Sequence, residues 1–171
     1  MSRAQKEPID ALNLAAAATV VEREFRLADF TRLAGRLAAP DGVARARMAF
    51  RTEGEVPTGE LEVSADALLT CQRCLGPMRR RLESRSQLAF VAREDAPVPA
   101  EFEVIPGDAR RVDLAGLVED ELLLCLPLIP RHGAGEQCAA RQRQPTRETG
   151  AGPPAPEMRR PFAGLKDLLK Q

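Results

Sequence analysis

The sequence has no tryptophan, no tyrosine, one histidine and six phenylalanines in 171 residues. A surface that stacks successive bases, such as an RRM sheet or an OB groove, needs more aromatic side chains than this. Lysine is nearly missing too. Lys6, Lys166 and Lys170 leave arginine to supply 22 of the 25 positive charges. These face 25 acidic groups, so the formal net charge of zero excludes both a uniformly basic nucleic-acid coat and an acidic solvating chain. No run reaches the ~18 apolar residues that a membrane span requires. Residues 11–21 (ALNLAAAATVV) have the composition of a signal core, but Glu7 and Asp10 precede them and Asn13 interrupts them. The chain therefore reads as cytoplasmic, where four cysteines stay reduced and act as metal ligands, redox thiols or core residues. A glycine-rich strand-to-helix motif is missing as well, which leaves Rossmann and P-loop domains unsupported.

What is present is ordinary globular material, 44 % hydrophobic and 29 % charged. Residues 19–26 read as a strand and 28–38 as an amphipathic helix with Phe30, Leu33, Ala34 and Leu37 on one side. Pro40-Asp41-Gly42 forms a turn. Period-two alternation then dominates. Ala44, Ala46, Met48 and Phe50 oppose Arg45, Arg47 and Arg51; Leu61, Val63, Ala65, Ala67 and Leu69 oppose Glu60, Glu62, Ser64 and Asp66. Residues 77–92 continue the pattern, and Phe102 with Val104 marks a shorter strand. Such alternation predicts antiparallel strands with one wet face. Asp113 is placed to cap a helix that Pro127 ends. The expected fold is α+β: an antiparallel, barrel-like sheet with a few helices in a single domain over residues 1–138. Residues 139–161, rich in Pro, Gly, Arg and Gln, read as a disordered linker. Phe162, Leu165, Leu168 and Leu169 give residues 162–171 the pattern of a short docking tail, too short to be helical alone.

Charge is locally concentrated. Residues 71–85 carry Arg73, Arg79, Arg80, Arg81 and Arg85 against Glu83 alone, whereas residues 113–121 carry Asp113, Glu119, Asp120 and Glu121 with no cation. Each cluster alone is most simply a solvated face. Together they suggest a polarised surface whose arginine side holds phosphates. Strand alternation separates Arg80 from Arg79 and Arg81, so Arg73, Arg79, Arg81 and Arg85 are the candidate RNA contacts. In helical projection, Leu114, Leu117, Val118, Leu122, Leu124 and Cys125 form the apolar arc. Glu121 falls near its middle; Glu119 and Asp120 fall outside. A carboxylate at a core position needs a partner, and an arginine of the sheet is expected to supply one for Glu121.

Cys71-Gln72-Arg73-Cys74 sits in a turn between strands, which brings two thiolates toward one point, and His132 with Cys138 offers two more ligands from a small loop. Cys71, Cys74, His132 and Cys138 would complete a Cys3His tetrahedron without an open position, the arrangement of a structural rather than catalytic zinc. Unligated structural thiols are the plain alternative. Thioredoxin-like chemistry is disfavoured because that use of C-x-x-C needs a helix N-terminus after the first cysteine. Cys125 reads as a core residue. With the single histidine in this loop, no Ser/His/Asp set is available, and no paired catalytic carboxylates stand out.

CQRCLGPM after an alternating strand, VDLAGLVEDELLLCLPLIPRH followed by a cysteine, and the terminal PFAGLKDLL resemble, in that order, the bacterial YceD family, the large ribosomal RNA subunit accumulation proteins. The resemblance spans residues 19–171 apart from the linker. It implies a noncatalytic cytoplasmic factor needed for synthesis, processing or stability of 23S rRNA. Precursor large-subunit rRNA, or an rRNA–protein intermediate, would be its partner, with no membrane and no small-molecule substrate. The alternative is a protein-interaction module that holds a ribosomal protein or processing enzyme through the acidic helix and the tail. The family carries no established binding residues to transfer. Some members have additional cysteines near the second motif, in keeping with a metal site.

Overall fold

The alternating segments pair as their periodicity requires. The computed structural model describes residues 7–133 and Cys138, all within one unit, Met1–Arg141. The linker and the docking tail lie outside the described residues. Strands β1 (Val20–Arg26), β2 (Val43–Glu53), β3 (Val56–Thr70), β4 (Pro77–Val91) and β5 (Glu103–Pro106) form one sheet in sequence order. β1 to β4 are antiparallel. β5 joins β4 in parallel, so the sheet is not purely antiparallel. It also stays open, with β1 and β5 at its edges, and does not close into a barrel.

One sheet face is the core. Phe25, Ala44, Ala46, Met48, Leu61, Val63, Ala65, Ala67, Leu69, Leu82 and Leu88 are all buried on it. Alanine pairs such as Ala44↔Ala65 leave this face shallow, so helices can approach closely. Helix α1 (Ala11–Ala16) lies over β2 and β3 through its own buried Ala11 and Ala15. Asp10 caps it, accepting the Asn13 backbone N–H at 3.0 Å. Helix α3 (Leu114–Leu124) covers β3 and β4, and Asp113 caps it through the Gly116 N–H at 3.1 Å. Most of the helix predicted over residues 28–38 is irregular: a 3-10 turn, Leu27–Asp29, precedes the four-residue α2, Thr31–Ala34. Phe30, Leu33 and the turn residue Leu27 are nonetheless buried, so the apolar spacing identifies core positions without a full helix.

Gly59 is demanded by packing rather than by its backbone angle. A Cβ there would stand 2.8 Å from the Met48 Sδ and 3.5 Å from both the Phe50 and Phe90 rings. These two rings, 6.1 Å apart, meet over the bare backbone. Because Met48 is fully buried and has little room to yield, Gly59→Ala should cost about 1–3 kcal/mol, read as a lowered urea midpoint at unchanged m-value.

Helix α2 is too short to hold itself and has no side-chain cap of its own. Glu119 of α3 provides one: its Oε1 accepts the backbone N–H groups of Arg32 at 2.7 Å and Leu33 at 3.1 Å, while its Oε2 accepts Arg32 Nε and Nη2. Arg32 Nη1 reaches on to Asp120. Glu119 lies outside the apolar arc of the projection, yet it is buried, because α3 packs against α2 as well as against the sheet. Glu119→Ala strands two amide donors and should cost about 2 kcal/mol, whereas Asp120→Ala, losing a solvent-exposed pair, should stay within about 0.5 kcal/mol. Urea unfolding of the two variants checks the contrast.

Candidate metal centre and charged surfaces

The turn joining β3 to β4 is closed by Cys71 N–H donating to the Gly76 carbonyl at 2.9 Å and Leu75 N–H donating to the Cys71 carbonyl at 2.8 Å. Leu75 adopts φ +60°, a left-handed conformation that costs a bulky side chain about 1–2 kcal/mol, and its side chain projects into solvent. This tight geometry turns both cysteine sulfurs of the motif to one side. The segment after α3 is anchored to the same turn, since Gln72 N–H donates to the Pro130 carbonyl at 2.8 Å. His132 follows directly, with Nδ1 at 3.5 Å from the Cys74 Sγ. One ligating atom from each of Cys71, Cys74, His132 and Cys138 lies within 4.8 Å of every other. The four residues, drawn from two segments far apart in sequence, are thus brought together. Cys71 and Cys138 are buried, while Cys74 and His132 are partly so.

The surroundings favour thiolate. Burial pushes the Cys71 thiol up, but backbone N–H groups at Cys74, His132 and Arg73, together with the Cys74 thiol, outweigh it and bring the pKa down to about 6. Cys74 is also lowered, chiefly by the Gly76 backbone N–H and, against its own burial, by Cys138. His132 is raised, first by its hydrogen bond with Cys71 and then by the charge of both thiolates. Donors aimed at a thiolate before any cation arrives reduce the proton competition that a metal must overcome. In metal-free protein, thiolate ultraviolet absorbance should show a step near pH 6 instead of the ordinary 9, and Cys71→Ser should delete that step.

The four arginines that the sequence offers as RNA contacts fall into two groups. Arg79, Arg81 and Arg85 share the outer face of β4, opposite the core, and Arg73 lies in the turn. Acidic and basic rows alternate across that face: Glu22 and Glu24 on β1, Arg45 and Arg47 on β2, Glu60, Glu62 and Asp66 on β3, then β4. Arg81 bridges Asp66 and Glu83 at 3.1 and 3.0 Å. Arg85 pairs with Glu60 and reaches Glu62 at 3.7 Å. Arg47 stands between Glu22 and Glu62, and Arg45 holds Glu24. A groove of ≈ 860 Å³ crosses this face, but four of its lining arginines, Arg45, Arg47, Arg81 and Arg85, are already paired with neighbouring carboxylates. No ion pair or hydrogen bond ties the Arg73 or Arg79 side chain among the described residues.

Glu121 is buried as expected, but its partners are hydroxyls. Ser84 Oγ and Ser86 Oγ both donate to it, the latter at 2.6 Å, so the anticipated sheet arginine is not there. The strand accounts for this: even-numbered residues of β4 face the core, and all the paired arginines of β4 are odd-numbered. Serines at two inward positions between Leu82 and Leu88 are the readable sign of a buried acceptor. Cys125 is only half-buried, and its thiol donates to the Glu83 carbonyl at 3.2 Å; burial raises its pKa. Leu124, assigned to the apolar arc, is 77 % exposed, because the helix turns Leu114, Val118, Glu121 and Leu122 inward instead.

Among the described residues no helix is long and apolar enough to cross a membrane. No solved structure matches the chain. A large ribosomal RNA subunit accumulation protein YceD of Haemophilus influenzae is 38 % identical over 86 residues, which cover 48 % of each chain; the match spans about half the length of that relative. The family model described as large ribosomal RNA subunit accumulation protein YceD matches residues 59–169, from the early part of β3 through the Cys71–Cys74 turn and α3. The chain therefore belongs to the YceD family of large ribosomal RNA subunit accumulation proteins.

Proposed function

We propose that the protein acts without catalysis, in the cytoplasm, to support synthesis, processing or stability of 23S rRNA by binding precursor rRNA or an rRNA–protein intermediate. Family membership over residues 59–169 carries this reading. The chemistry of the site agrees with it, because a set of four protein ligands around one point leaves no position for substrate or for an activated water. The same set fits zinc. A tetrahedron with Zn–S of about 2.3 Å has edges near 3.8 Å, inside the 4.8 Å that encloses the four ligating atoms, and three soft thiolates with one imidazole suit that ion. Zinc there would tie the β3–β4 turn to the segment after α3, supplying stability rather than reactivity.

A second reading, in which the chain holds a ribosomal protein or processing enzyme, draws support from Leu124, Leu128 and Ile129. These exposed aliphatics stand close together in sequence at the end of α3 and just beyond it, with Leu128 fully accessible. Two carboxylates of the acidic helix, Glu119 and Glu121, are occupied internally, so an apolar rather than an acidic contact is favoured for such a partner.

Crosslinking of the tagged protein in growing cells, followed by sequencing of attached RNA, should recover precursor 23S sequences; recovery of protein adducts without RNA favours the second reading. Native mass measurement should show one zinc per chain that a chelator removes, and an unchanged mass on chelation would refute the metal.

A further inference from the structure

Five of the six phenylalanines, Phe25, Phe30, Phe50, Phe90 and Phe102, lie among the described residues, and all five are buried. The described surface therefore exposes no phenyl ring as a stacking platform, which favours RNA contacts to phosphate and shape. The question becomes which arginines are available. On the outer sheet face Arg45, Arg47, Arg81 and Arg85 are committed to carboxylates, and a phosphate arriving at these must displace an acid already in place. The situation differs at the end of the sheet where the β3–β4 turn lies.

Four arginines gather there with no ion pair among the described residues: Arg73, Arg79, Arg80 and Arg131. All four are exposed. Arg73 is inside the Cys71–Cys74 turn. Arg131 joins Pro130, which accepts the Gln72 N–H, to His132, whose ring lies against Cys74. Arg79 and Arg80 are two and three residues beyond Pro77, which opens β4 directly after the turn; at about 3.3 Å per residue they stand within about 10 Å of it. Their cross-strand partners are Leu68 and Ala67, not acids, so the alternation of charge that neutralises the rest of β4 stops here. Successive strand residues point to opposite sides, which places Arg79 and Arg80 on the two flanks of one rim. The Arg80 side is solvent-exposed although it continues the core face. The result is a ridge that is cationic on both sides.

We infer that this ridge, formed by Arg73, Arg79, Arg80 and Arg131 at the turn end of the β3–β4 ribbon, is a binding site for the phosphate backbone of double-helical RNA. The inference rests on the RNA-binding reading above and locates its surface. A projecting ridge charged on both flanks complements a groove walled by two phosphate strands, and A-form RNA presents such grooves and is recognised mainly by shape and backbone. A flexible single strand gains less from two-sided charge and meets no exposed phenyl ring on which to stack. Guanidinium groups without an internal carboxylate give the full counterion-release gain, because no protein ion pair must be broken first.

The test uses the full chain and a fluorescent RNA hairpin with a long stem, with a single strand of equal length for comparison, titrated by anisotropy over a salt series. The hairpin is expected to bind more tightly than the single strand. Replacing Arg73, Arg79, Arg80 and Arg131 by Gln should reduce the steepness of log affinity against log salt by roughly one for each substitution. Arg81→Gln and Arg85→Gln, which remove committed arginines, should leave that slope unchanged. Because the four positions are exposed, circular dichroism melts should superimpose on the parent. Hairpin binding that survives the four substitutions, or that depends on Arg81 and Arg85, overturns the location while the RNA-binding reading stands. Tighter binding to the single strand overturns the duplex assignment, and absence of binding to either RNA overturns both the ridge and direct recognition.

Discussion

Thirteen successive cross-strand pairs, from Thr58↔Ala89 to Thr70↔Pro77, lock β3 to β4, and every site in the protein depends on that register. A slip of one residue would exchange the faces of a strand. If β3 were the strand inverted, Leu61, Val63 and Leu69 would enter water; if β4 were, the serines that satisfy Glu121 would turn away from α3; in either case the acidic row of β3 would lose the arginines of β4. The Cys71–Cys74 turn is the closed end of this ribbon, so its two cysteines are presented by the same pairing. Burial of one face fixes the register, and the turn and the charged face take their geometry from it.

The outer face resolves a tension in the composition. A net charge of zero with an arginine-rich basic complement can mean either a polarised surface or a self-neutralised one. The sheet does both in different places. Where β2, β3 and β4 lie side by side, acid and base alternate across the strands, and each exposed pair contributes little to stability while keeping the face free of a net field. Where the ribbon extends past its neighbours, the acids run out and the arginines remain. Location within the sheet, more than the number of arginines, decides which guanidinium groups are left without an internal carboxylate.

The period-two pattern makes strands β2 to β4 and their inward rows legible, because alternation sustained over ten or more residues fits a half-buried strand and no helical period. Asp113 as a cap and the convergence of Cys71, Cys74, His132 and Cys138 are also readable, the first from local chemistry and the second from ligand type. Other features depend on tertiary partners and carry no local signature. The direction of β5 is set by the loop from Ala92 onward, not by its four residues. α2 is short because its cap comes from α3. Helical projection fails for Glu119 because it assumes one buried face, whereas α3 packs on two elements. Matching charge with charge misses the partners of Glu121, because hydroxyls on the facing strand suffice.

The bond from Glu119 to the start of α2 also sets an order of events during synthesis. β1, β2 and β3 can pair as hairpins while the later sequence is still being made, since their contacts are near neighbours along the chain. The first turn of α2 must wait, its amides hydrated, until the segment bearing Glu119 has left the ribosome. Completion of the N-terminal half is thereby tied to emergence of α3, and a chain halted before that point would carry a finished hairpin beside an unclosed corner, a natural place for a chaperone to hold or a protease to cut.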